Sequence, residues 1–203
     1  MTAVDREECS VLWRRRDAAG MEIFHLDTLP HPRLIGTVLT AFEGTPAEVR
    51  YEVVCSQAWE TRFVRVELLL PGRKRHLELT APATGHWWCE GRPLDAVAGC
   101  PDVDLSVTPS TNLLPIRRLG LRPGQSAEVA AAWIRFPSLE PTVLPQRYTR
   151  LDEHRYRYES GGGAFTAELT VDDAGLPVRY GDLWETVARE PAAAAAATGH
   201  GGR

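Results

Sequence analysis

Two aspartates two residues apart, Asp102 and Asp104, precede a polar cluster of Thr108, Ser110, Thr111 and Asn112. Two adjacent arginines, Arg117 and Arg118, follow it. All lie within one run over residues 99–121, GCPDVDLSVTPSTNLLPIRRLGL. On an extended backbone, residues two apart place both carboxylates on one face, with Cα atoms about 7 Å apart. That arrangement is compatible with the paired carboxylates of a glycosidase. The same groups also suit recognition without chemistry. Arginine forks match phosphate or carboxylate, and aspartate accepts hydrogen bonds from sugar hydroxyls. They equally suit a structural ion-pair network, because charges near a buried element need partners whatever the function.

The elements that must hold these side chains follow from their spacing. Polar and apolar residues alternate from 102 to 107, so Val103, Leu105 and Val107 share one strand face. Asp102, Asp104 and Ser106 share the other. Pro109 has no ladder donor and ends the strand. A Ser110 or Thr111 hydroxyl is placed to cap a short helix. Leu113, Leu114, Ile116 and Leu119 cover most of its circumference, which predicts a helix buried nearly all round. Pro115 falls in the first turn, where a missing N–H costs little, and Gly120 lies just past the end. Arg117 and Arg118 suit the negative end of the helix dipole.

Around this centre the chain reads as strands. Residues 10–16 and 21–26 form a hairpin bent at Gly20, with Trp13 and Leu26 inward. Residues 34–42 form a strand in which Gly36 marks a bulge or a close approach. Residues 48–55, 61–70 and 73–79 read as an antiparallel meander with one wet face. Trp87 and Trp88 are adjacent and point to opposite faces of a strand. One belongs to the core; the other, taken as Trp88, faces solvent or a cavity, where an aromatic ring can stack on a sugar. Residues 127–136 are apolar at both parities and predict a strand buried on both faces. Residues 142–151, 155–159, 164–171 and 178–180 are further short strands divided by turn residues. Residues 183–188 are a last strand or helical turn. Residues 190–203, EPAAAAAATGHGGR, read as a low-complexity, disordered tail. The sum is roughly thirteen short strands and one convincing helix. The fold class is mostly β: a large curved antiparallel sheet wrapped around one short buried helix, in a single domain over residues 1–189. No repeating βα pattern occurs, which argues against doubly wound and α/β-barrel folds.

The 203 residues are 43% hydrophobic and 25% charged, with a formal net charge of −4. Wholesale disorder is excluded and a sizeable core is available. The chain lacks the basic balance that nucleic acid requires, and its arginines are interleaved with acids, as at Arg62, Arg65 and Glu67. The N-terminal residues hold no apolar core of a secretory signal, and no apolar run reaches membrane-span length. A cytoplasmic protein without a transmembrane segment is expected. Cys9, Cys55, Cys89 and Cys100 are far apart, form no CxxC pair and read as reduced, buried thiols. The sequence holds no nucleophile elbow, phosphate loop, dinucleotide fingerprint or zinc-protease helix. Asp172, Asp173 and Gly175 read as a turn rather than a calcium loop. No catalytic residue, metal or cofactor is assigned.

Several segments carry a family resemblance. They are Val11-Leu12-Trp13-Arg14, Tyr51-Glu52-Val53 with Trp59, Thr61 and Arg62, and Gly85-His86-Trp87 with Gly91. Further on come Gln146-Arg147-Tyr148-Thr149 and the set Phe165, Ala167, Leu169, Val171, Asp172 and Gly175. The most specific is the central run from Gly99-Cys100 and Asp102-Val103-Asp104-Leu105-Ser106 through Pro115-Ile116-Arg117-Arg118-Leu119. Together they resemble a bacterial family of putative glycolipid-binding proteins, formerly a domain of unknown function. The resemblance implies a spiral β-roll around a single helix, reported as a dimer and likened to carriers that hold acyl chains in a curved half-barrel. It therefore implies non-catalytic binding of an amphipathic ligand such as a glycolipid or lipid precursor. The candidate binding residues are Asp102, Asp104, Asn112, Arg117, Arg118, Trp88, Arg147 and Tyr148. The alternatives are a glycoside or ester hydrolase using Asp102 and Asp104, and a homodimeric interaction protein with no small ligand.

Overall fold

The computed structural model describes residues 7–190. Eight strands form its first arm: β1 (Glu8–Arg15), β2 (Gly20–Asp27), β3 (Arg33–Phe42), β4 (Thr45–Cys55), β5 (Thr61–Leu70), β6 (Arg73–Ala83), β7 (His86–Cys89) and β8 (Arg92–Pro93). A segment with a 3₁₀ turn (Asp95–Val97) leads to β9 (Asp102–Leu105). A second 3₁₀ turn (Ser110–Asn112) enters the helix α1 (Leu113–Leu119). The chain then returns through β10 (Ser126–Arg135), β11 (Glu140–Arg150), β12 (Arg155–Ser160), β13 (Phe165–Val171), β14 (Pro177–Tyr180) and β15 (Trp184–Glu190). All fifteen strands belong to one sheet, ordered β8-β7-β6-β5-β4-β3-β2-β1-β15-β14-β13-β12-β11-β10-β9. The first and last strands thus pair at its middle, with Ser10 opposite Glu190, and two arms curve away from them.

The expected mostly-β fold, a large curved sheet with one short buried helix, is what the chain forms. Three details differ from the sequence reading. There are fifteen strands rather than thirteen, the two-residue β8 being too short to carry a pattern. The sheet is antiparallel except for β9 and β10, which run parallel. Parallel neighbours need a crossover, and α1 supplies it. Neither Ser110 nor Thr111 caps α1 by a side-chain hydrogen bond; both hydroxyls are engaged elsewhere. Of residues 183–188, Leu183 lies in a turn and the rest are strand, within β15. Apart from Glu190, the last residue of β15, the segment read as a tail lies outside the described residues.

Two apolar clusters fill the roll, and β9 and β10 lie between them. Val103, Leu105, Ala132 and Ile134 pack with Val64, Val66 and Leu68 of the first arm. On the opposite face, Val129 packs with Tyr148, Tyr156, Tyr158, Leu169 and Val171 of the second arm. This explains why β10 is apolar at both parities: it is a strand covered on both sides. The helix joins the clusters, with Leu113 and Leu114 in the larger and Ile116 in the smaller. Gly120 closes α1 in the left-handed conformation (φ 53°), its N–H bonded to the Ile116 carbonyl. Cys9, Cys55 and Cys100 are buried and Cys89 half-buried, all as free thiols. Among the described residues, no helix is long and apolar enough to cross a membrane.

Candidate functional site

The two aspartates share a strand face but not an environment. Asp102 is closed off by Arg118, whose Nε and Nη2 donate to its two carboxylate oxygens at 3.0 and 2.6 Å. Its side chain is 2% exposed. Burial pushes the Asp102 carboxyl above its ordinary value, and the arginine fork partly offsets this. Among the described residues, Asp104 meets no arginine. Its Oδ2 accepts from Gln146 Nε2 at 2.5 Å, and no hydrogen bond to Oδ1 is present among the described residues. Burial raises the Asp104 carboxyl to about 6, the amide donor pulling the other way.

Asp104 opens into a cavity of about 370 Å³ on the concave side of the second arm. Its walls are Trp133, Tyr158, Phe165, Tyr180 and Trp184, with Leu105, Leu144 and Leu183 between them. Ser106, Thr108, Asn112 and Ser160 add polar groups, and Arg15, Gly161 and Ala164 complete the lining. Strand alternation directs these rings inward: Tyr156, Tyr158 and Ser160 share the buried face of β12, while Arg155, Arg157 and Glu159 take the other. Tyr158, Phe165 and Tyr180 stand at 62°, 86° and 86° to one another, with centroids 5.8–6.1 Å apart. Arg15 sits with its guanidinium 5.8 Å from the Trp184 ring and pairs with Asp17 at 2.8 Å.

Tyr148 and Asn112 form one unit at the edge of this cavity. The buried Tyr148 hydroxyl donates to Asn112 Oδ1 at 2.8 Å, and Asn112 Nδ2 donates to the Pro109 carbonyl at 3.0 Å. Burial holds the Tyr148 phenol well above its usual value. The structure therefore brings Asp104, Asn112 and Tyr148 together, with the Asp102–Arg118 pair beside them.

The other candidates lie elsewhere. Arg117 pairs with Glu7 and covers the Trp59 ring at 5.1 Å. Trp87 is core, its Nε1 donating to the Cys100 carbonyl at 2.8 Å, while Trp88 is 38% exposed beside a separate hollow. Arg147 points away from Tyr148, in a larger depression of about 490 Å³ on the opposite face of β11. That depression holds Glu128 and Glu159, the residues opposite Arg147 on β10 and β12. The smaller concave cavity is the better candidate, because it combines aromatic walls with a carboxylate that, among the described residues, pairs with no cation.

Sequence reading missed the aromatic lining and a second polar network. Glu22, on β2, is fully buried. Its Oε1 accepts from the Tyr51 hydroxyl and from Thr108 Oγ1, the latter at 2.8 Å. The Tyr51 oxygen lies 2.6 Å from Ser110 Oγ, and the Ser110 N–H donates to Thr108 Oγ1 at 3.0 Å. Thr111 Oγ1 accepts from the Leu105 N–H at 3.3 Å. These bonds engage the hydroxyls expected to cap α1 and anchor the turn that carries Asn112. Parity offered a signal for Glu22: with Phe24 and Leu26 inward, Glu22 must point inward too.

Fold and site together define a rolled, single-sheet β protein with an aromatic-lined pocket that opens to solvent. The chain belongs to the putative glycolipid-binding family, whose model matches residues 10–186. It is similar to a DUF1089 family protein from Pseudomonas aeruginosa, with 36% identity and a TM-score of 0.77 over 84% of this chain and 94% of that one. A beta-barrel-like protein of domain of unknown function DUF1849 from Brucella abortus shares the fold alone, with 6% identity and a TM-score of 0.52 over 92% and 97% of the two chains. No curated protein matches.

Proposed function

We propose that the protein binds an amphipathic ligand such as a glycolipid without transforming it, with the ligand's polar head in the concave cavity. The observation that carries this reading is the cavity itself. The helix does not fill the roll, and the space left joins aromatic faces to Asp104, Asn112, Ser106 and Thr108. At about 370 Å³ it lies near the lower end of small-ligand pockets, which suits a head group rather than a whole lipid. Aromatic rings stack on the C–H faces of a sugar, and a carboxylate with a free oxygen accepts its hydroxyls. The family description points the same way. Hydrolysis by the aspartate pair is the weaker reading, because Asp102 is held by Arg118 and does not line the cavity.

The test is native mass spectrometry of the purified full chain, followed by solvent extraction of whatever is bound. A bound amphiphile is expected. Ala164→Trp, which fills the mouth of the cavity, should remove it, while Trp88→Ala, in the separate hollow, should not. A wild-type chain that carries nothing and takes up no added glycolipid or phospholipid overturns the proposal.

A further inference from the structure

Charge within the cavity is not balanced. Asp102, two residues from Asp104 on β9, has a full arginine fork; among the described residues Asp104 has only the neutral Gln146 amide. The cations nearest the walls are already committed. Arg15 pairs with Asp17, and Arg135, which sits 5.8 Å from the Trp133 ring, pairs with Glu140. Among the described residues, no arginine or lysine sits over the rings of Tyr158, Phe165 or Tyr180. At one corner of the cavity Tyr180 stands nearly perpendicular to both Tyr158 and Phe165, which are tilted at 62° to each other. Each presents electron-rich π density, and the carboxylate adds a formal negative charge. An aromatic corner closed by an uncompensated carboxylate is the environment that stabilises a desolvated ammonium ion.

We infer that the head group taken by this cavity carries a cationic nitrogen, which contacts the faces of Tyr158, Phe165 and Tyr180 and pairs with Asp104. This deepens, and rests on, the binding reading above. A neutral sugar satisfies the hydrogen-bonding capacity of Asp104 but leaves its charge buried without a counter-ion, whereas a primary ammonium supplies both a donor and the counter-charge, and a trimethylammonium supplies the counter-charge. Two sources share this chemistry: the choline or ethanolamine of a zwitterionic lipid, and an amino sugar.

Titration of the full-length chain with matched pairs, read by tryptophan fluorescence and calorimetry, tests the inference. Choline is paired with the neutral alcohol in which a tert-butyl group replaces trimethylammonium, ethanolamine with ethylene glycol, and glucosamine with glucose. The measurement is made well above the pH at which Asp104 takes up a proton. At least one cation is expected to bind about tenfold or more tightly than its neutral partner, and the favoured pair identifies the source. Asp104→Asn, which keeps an acceptor for Gln146, should erase most of that ratio. Phe165→Ala, at the exposed mouth, should reduce it without threatening the fold. Equal or tighter binding of the neutral partners overturns the cationic assignment and leaves the carrier reading standing. Binding of neither set, together with an empty purified protein, overturns both.

Discussion

At the scale of single residues, the costliest side chain in the fold is Glu22. It is fully buried, its Oε2 finds no partner among the described residues, and burial raises its carboxyl to about 8. The hydrogen bonds from Tyr51 and Thr108 oppose that rise without cancelling it. In the unfolded chain the same group titrates near its ordinary value of 4.5. Between those two pH values the folded state binds more protons than the unfolded state, so stability falls as pH rises. The contribution is fully present below pH 4.5 and lost on passing through about pH 8. The slope is at most about 1.4 kcal/mol per pH unit. Asp104, raised to about 6, adds a slope of the same sign that fades about one unit above that value, so the upper half of the interval, from about pH 7 to 8, reports chiefly on Glu22. Urea unfolding midpoints of the wild type should decline from pH 6 to 8, and Glu22→Gln should flatten that decline. Parallel profiles for the two proteins would show that Glu22 enters the folded core already ionised.

At the scale of elements, β3 and β4 meet around Gly36. A Cβ built there would lie 2.2 Å from Cε1 of Tyr51, so the glycine exists to admit the ring that reaches Glu22. Gly36→Ala is expected to destabilise the protein by about 1–3 kcal/mol, the cost of overpacking a well-filled core. Combined with Tyr51→Leu, the alanine should cost markedly less, and a double-mutant cycle on urea unfolding reads that coupling. Strictly additive effects would mean that the ring and the glycine are not in contact. The sequence already marked Gly36 as a bulge or close approach, and most strands were legible from alternation, because a half-buried strand writes its two faces into neighbouring residues. The helix was legible for a similar reason: four large apolar residues, a proline in the first turn and a closing glycine fall within one short run. The cavity was not legible. Asp104, Trp133, Tyr158, Phe165, Tyr180 and Trp184 come from six strands, and no local pattern states that these strands face one another. The parallel pairing of β9 and β10 was hidden too, since alternation fixes which way a side chain points but not which strand lies beside it. Arg155, Arg157 and Glu159 occupy the wet face of β12, while Tyr158 between them forms part of the wall.

At the scale of the whole molecule, the sheet is held at its middle by the two ends of the described chain. The pairing of β1 with β15 joins residues more than 150 positions apart in sequence. Trp13 pins it from inside: its ring packs on Phe24 with centroids 5.0 Å apart, and its Nε1 donates to the Pro177 carbonyl at 2.7 Å. The Arg16 N–H donates to the Leu183 carbonyl at 2.8 Å beside it. The far end of the second arm also meets the middle of the first, where the Thr61 N–H of β5 donates to the Pro101 carbonyl and Thr61 Oγ1 accepts from the Val103 N–H of β9. Each arm therefore borrows core from the other twice, and neither buries its inner face alone. The arms should unfold together. Trp13→Ala removes a fully buried ring and a buried hydrogen bond, and is expected to cost about 3–5 kcal/mol. Hydrogen exchange of that variant should show protection falling by the same amount in β3–β6 as in β11–β13. If β3–β6 keep wild-type protection while β11–β13 exchange freely, the arms are separate cooperative units. Local unfolding of the second arm would then loosen the cavity walls, giving a bound head group a route in and out besides the mouth at Ala164 and Phe165.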